Sequence, residues 1–68
     1  MPDLIRCEFV GGIMDGKQIV IEDDKRQIEI YEFDAYKYEV IPRQYLLRRI
    51  NGILVRLPNG LYALDYQL

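Results

Sequence analysis

Two Asn-Gly dipeptides, Asn51-Gly52 and Asn59-Gly60, cut the end of this chain into short apolar runs. Asn-Gly between alternating runs is the strongest local hairpin signal, because a type I′ turn needs positive φ at both central residues. Two-residue loops pair Ile50 with Ile53 and Arg48 with Val55 across the first turn. Across the second they pair Val55 with Leu64 and Leu57 with Tyr62. This register predicts one face made of Leu46, Ile50, Ile53, Val55, Leu57, Tyr62, Leu64 and Tyr66. The opposite face receives Leu47, Arg49, Leu54, Arg56, Ala63 and Asp65, a charged surface with two exposed leucines.

The rest of the chain also reads as short strands. Residues 4–10 alternate, with Ile5, Cys7 and Phe9 on one face and Arg6 and Glu8 on the other. Gly11, Gly12 and Gly16 break that strand, and residues 17–22 form the next, with Ile19 and Ile21 inward. After the polar turn at 23–26, residues 27–33 carry Ile28 and Ile30 on one face and Tyr31 and Phe33 on the other parity. Both faces therefore hold apolar bulk, or a bulge resets the phase. Residues 34–37 read as a loop, and 38–41 as a short strand ending at Pro42. Residues 43–50 admit two readings, a strand or a short helix with Pro42 at its start and Asn51-Gly52 as its cap. The expected fold is all-β, an antiparallel meander of five or six strands forming a curved sheet or a small SH3-like barrel. The helical reading of 43–50 makes it α+β instead.

With 68 residues there is one domain and one marginal core. The chain has no His, Ser, Thr or Trp and a single Cys. Without a hydroxyl nucleophile other than Tyr, and without imidazole, Ser-His-Asp chemistry and Cys-His chemistry are out. One thiol supplies neither a structural zinc site nor an internal disulfide. Cys7 alternates with Ile5 and Phe9 and reads as a small buried hydrophobe. No enzyme, no cofactor and no metal are expected. Met1-Pro2-Asp3 is not the start of a secretory signal and no apolar run is long enough to span a bilayer, so a cytoplasmic protein without a membrane role is expected.

The segment Gly11-Gly12-Ile13-Met14-Asp15-Gly16, set between an aromatic-bearing strand and an apolar one, resembles the GG-x-x-DG opening of short β-rich proteins from tailed bacteriophages and prophages. Tyr45 to Val55, followed by Asn59-Gly60-Leu61-Tyr62, resembles the Tyr- and Arg-rich hairpin that closes such proteins. Their pattern carries Pro at the third loop position, where this chain has Ile13. The resemblance covers some 20 residues and implies a phage or prophage origin rather than an activity.

Charge is unevenly spread. Residues 1–41 hold five basic and ten acidic side chains, net −5, and residues 42–68 hold four Arg and one Asp, net +3. Arg43, Arg49 and Arg56, with Arg48 and Tyr45 nearby, are candidates to grip a phosphate or stack on a base. The ordinary alternative is a solvated face or ion pairs with the acidic half. Four Arg on a net-acidic chain do not form the basic stripe of a non-specific nucleic-acid binder. The acidic set Glu22, Asp23, Asp24, Glu29, Glu32, Asp34 and Glu39 reads as solvated, with cation binding or phosphate mimicry as the sharper readings. Apolar residues left over from the core, Leu47, Leu54, Tyr31 and Phe33, mark a contact surface, since apolar patches rimmed by charge are where proteins meet. The expected function is a non-enzymatic interaction protein that binds and modulates a host protein, associating as a homodimer or larger homo-oligomer. A homo-oligomeric nucleotide binder and a virion or assembly component are the alternatives.

Overall fold

Glycines and Asx residues punctuate seven strands in the computed structural model, which describes residues 1–68. They are β1 (Leu4–Val10), β2 (Gln18–Glu22), β3 (Gln27–Asp34), β4 (Glu39–Leu47), β5 (Arg49–Ile50), β6 (Ile53–Leu54) and β7 (Tyr62–Tyr66). The fold is all-β. Residues 43–47 lie in β4 and 49–50 in β5, with only Arg48 between them, so the helical reading does not hold, and β4 runs straight through Pro42. Pro42 is tolerated there because its missing N–H falls on a side of the strand that has no neighbour.

Five strands form one curled sheet in the order β2-β1-β7-β4-β3, a half-barrel, and β5-β6 forms a separate two-stranded ribbon. The order departs from a meander. Two antiparallel hairpins, β1-β2 and β3-β4, are joined by the last strand, which lies antiparallel to β4 and parallel to β1. Cys7 faces Tyr62 and Phe9 faces Leu64 across the parallel pair, so both strands present apolar side chains to the same side. The core sits on the inner face of the curl: Cys7, Phe9, Tyr45, Leu47 and Leu64 are buried. Ile19 and Ile21 from one end of the sheet and Ile28 and Ile30 from the other pack against them.

The first Asn-Gly turn follows its expected register, with Ile50 opposite Ile53 and the Val55 N–H donating to the Arg48 carbonyl (3.1 Å). The second does not. The Gly60 N–H donates to the Leu57 carbonyl (2.9 Å), the Leu57 N–H donates to the Leu61 carbonyl (2.7 Å), and Arg56 faces Tyr62. Pro58 takes the favoured second position of a type I turn and Gly60 follows at φ +87°, which makes a three-residue loop rather than a two-residue one. One extra residue in the turn shifts the register by one and exchanges the faces. Leu47 is therefore buried and Leu54 half-buried against the core, while Ile50 and Ile53 point to solvent.

Candidate protein-interaction surface

Three residues of β4, Tyr45 to Leu47, pair with β7, and the Gln67 N–H adds a bond to the Gln44 carbonyl (2.9 Å). Beyond that point β3 and β4 continue alone. From Ile30 to Arg43 the hairpin has no third strand and stands off the half-barrel as an arm. The molecule is correspondingly long, 39 × 26 × 20 Å, with a radius of gyration of 12.9 Å. A compact chain of this length has about 11 Å.

The arm has two unlike faces. On the inner side, Ile30 and Ile41 are half-buried beside an ion pair in which Arg43 Nε donates to Glu32 Oε2 (2.9 Å). That hydrogen bond holds the Arg43 guanidinium above its ordinary range. On the outer side, Tyr31 faces Pro42 and Phe33 faces Val40. Tyr31, Phe33 and Val40 are 65%, 57% and 62% exposed. The alternation that sets Ile28 and Ile30 inward requires Tyr31 and Phe33 outward, and no bulge resets it.

The loop at the arm's tip enlarges the patch. The Asp34 carboxylate accepts the Tyr36 and Lys37 N–H groups (2.9 and 3.2 Å) and fixes a four-residue turn. Tyr38 closes it at φ +56°, a left-handed conformation that Gly or Asn adopts more readily. Its ring meets Phe33 edge-on, 5.4 Å between centroids, yet stays 84% exposed. Tyr36, Tyr38 and Val40 were not singled out by the sequence, because 34–37 reads as a loop and 38–41 as an ordinary strand. The available signal was the alternation of Tyr36, Tyr38 and Val40, continuing across the turn from Tyr31 and Phe33.

The other sequence candidates do not join this surface. Tyr45 is buried: its hydroxyl donates to the Gly11 carbonyl (2.8 Å) and accepts the Met14 N–H (3.3 Å). The Asp15 carboxylate accepts the Gly11 N–H (2.7 Å), so the Gly11–Gly16 loop is shaped to receive that phenol. A Cβ on Gly12 would lie 2.7 Å from the Tyr66 ring and nearer still to the Tyr45 hydroxyl. The arginines are dispersed. Arg43 is paired with Glu32. Arg48 Nε and Nη2 donate to Asp65 (2.7 and 2.5 Å), which raises its guanidinium above the ordinary range. Arg49 Nη2 and Nη1 donate to the Asp23 and Lys25 carbonyls (2.6 and 3.2 Å). Arg56 lies 4.4 Å over the Tyr62 ring and donates to the Gly60 carbonyl (2.8 Å). Each of these four guanidiniums has an intramolecular partner, and no two of the four converge on a common anion site. Gly16, Gly52 and Gly60 and Asn51 hold positive φ in turns with open space around the glycines. Asn59 accepts the Leu61 N–H (3.0 Å) and donates to Glu8 (2.9 Å). No three acidic or thiol groups gather as a cation site, and no helix is long and apolar enough to cross a membrane. Comparison with family models, curated proteins and solved structures finds no match for this chain.

Proposed function

We propose that this chain is a protein-interaction module whose contact surface is the outer face of the β3–β4 arm. The observation that carries the reading is the apolar row Tyr31, Phe33, Tyr38 and Val40, exposed on a hairpin that the rest of the sheet does not support. A lone two-stranded hairpin is marginal in water, and contiguous apolar surface on a small protein is costly unless something covers it. Tyr38 strengthens the case: a non-glycine left-handed residue costs about 1 kcal/mol or more, and here it holds an aromatic ring outward. Glu29 shares the parity of Tyr31 and Phe33, and its carboxylate beside the row favours a partner with a basic group at the rim of an apolar groove. The phage-like opening loop makes a host protein the expected partner and its modulation the expected outcome.

The test is capture from bacterial lysate with matched baits. Wild type and Ile53→Ser, an exposed apolar residue outside the arm, should retain one stoichiometric protein, and Tyr31→Ser/Phe33→Ser should lose it while melting cooperatively. A partner retained equally by all three baits contradicts the assignment.

A further inference from the structure

Only one side of β3 is paired, along its whole length. The groups left free follow from the ladder. The Leu47 N–H donates to the Arg26 carbonyl (2.9 Å), in the same register that sets Gln27 opposite Leu46. Hydrogen-bonded and non-hydrogen-bonded pairs alternate in an antiparallel ladder. Ile28, Ile30, Glu32 and Asp34 therefore direct their backbone groups to β4, and Gln27, Glu29, Tyr31 and Phe33 direct theirs outward. Pro42 agrees, since it lies opposite Tyr31 at a position needing no N–H toward β3. The same proline blunts the arm's other edge along β4, because it offers no donor there. A groove lined by Leu4, Val20, Ile21, Glu22, Gln27 and Ile28 separates β2 from this edge and leaves it accessible at its start.

Charge selects the occupant. β3 follows Lys25-Arg26 and ends at Asp34, so it is cationic at its start and anionic at its end. Such a strand complements an antiparallel copy of itself. With Ile30 on the two-fold axis, Arg26 faces Asp34, Gln27 faces Phe33 and Glu29 faces Tyr31, each pair occurring twice and none of like sign. A shift of the axis to Glu29 sets two carboxylates opposite each other, and a shift to Tyr31 removes the Arg26–Asp34 match. A shift of one residue between the strands opposes inner side chains to outer ones. We propose that a second copy of this chain docks antiparallel on the β3 edge with Ile30 at the two-fold axis, giving an isologous dimer with one continuous sheet. Tyr31 of each copy then lies diagonal to its twin, within reach of aromatic side chains, and the two outer faces merge into one surface. This dimer goes beyond the partner-binding reading: it uses the edge and leaves the outer face open.

The test uses the purified full chain in a Cys7→Ala background. Facing residues of a non-hydrogen-bonded antiparallel pair are about 4.5 Å apart at Cα, within disulfide range. Ile30→Cys should give a disulfide-linked dimer on mild oxidation, and Tyr31→Cys should not. Sedimentation should show a reversible dimer for wild type that Arg26→Glu weakens about tenfold through its two symmetry-related contacts. Glu29→Pro, which removes an edge N–H and no ladder bond, should sediment as a monomer and melt cooperatively at a temperature independent of concentration, whereas the wild type gains stability as concentration rises. A wild-type monomer at millimolar concentration overturns the proposal, as does cross-linking through Tyr31→Cys in place of Ile30→Cys. Neither result bears on capture from lysate, so the two readings fail separately.

Discussion

Tyr45 is the residue on which the two hairpins depend. Its ring meets Phe9 edge-on at 4.8 Å and Tyr66 at 5.4 Å, and its hydroxyl is held by Gly11 and Met14. Tyr45→Phe keeps the packing but leaves the Gly11 carbonyl and Met14 N–H unsatisfied, so urea unfolding should show a loss of about 1–2 kcal/mol. Gly12→Ala should cost more, because the added carbon collides with the Tyr66 ring and the Tyr45 hydroxyl at a backbone φ of +65°. Cys7 is a different case. Burial pushes its thiol up, which keeps it protonated and unreactive in the folded protein. Its contribution to stability is full at neutral pH and is lost as the pH rises above the thiol's ordinary value of 9.0, where the unfolded chain ionises first. A thiol reagent should label Cys7 only at the rate of unfolding, and Cys7→Ala should remove that part of the alkaline loss.

At the scale of elements, the arm is where structure and association trade against each other. Tyr38→Gly relieves the left-handed strain and deletes the ring, so it should hold or raise the melting temperature while weakening capture of the partner. Phe33→Ala should weaken binding by about 2 kcal/mol, roughly 30-fold, if Phe33 is an anchor of the contact. The β3 side of the arm's outer face was legible in the sequence, because the parity of Ile28 and Ile30 leaves Tyr31 and Phe33 on the other face, whereas the β4 side was hidden by reading a strand end at Pro42. The faces of the closing hairpins were not. Asn59-Gly60 reads as a two-residue loop, but Pro58 sets the first half of a type I turn and adds a residue. That single residue moved Leu47 from the expected contact surface into the core, set Leu54 half-buried against it, and sent Ile50 and Ile53 outward. The four arginines suggested a shared site only because they are close in sequence. Alternation, the β5–β6 ribbon and the bidentate pair with Asp65 disperse them.

For the molecule as a whole, β7 is the joint. The β1-β2 and β3-β4 hairpins share no ladder except through it, and its parallel pairing with β1 spans nearly the whole chain. No turn specifies that pairing, so it was not legible from local signals, whereas the curled all-β sheet was. Truncation before Tyr62 removes Leu64 and the strand between the hairpins, and the shortened chain should show no cooperative melting. With β7 in place the half-barrel holds the arm out with one open edge and one exposed apolar face. The most direct test of that claim is hydrogen exchange of the pure protein, read by residue over a range of concentrations. At low concentration the amides of Glu29, Tyr31 and Phe33 should exchange fast beside slow β1 and β7, and they should gain protection as concentration rises. Edge amides as protected as the β1 core at every concentration, or a gain on the β2 edge in place of β3, would contradict the account.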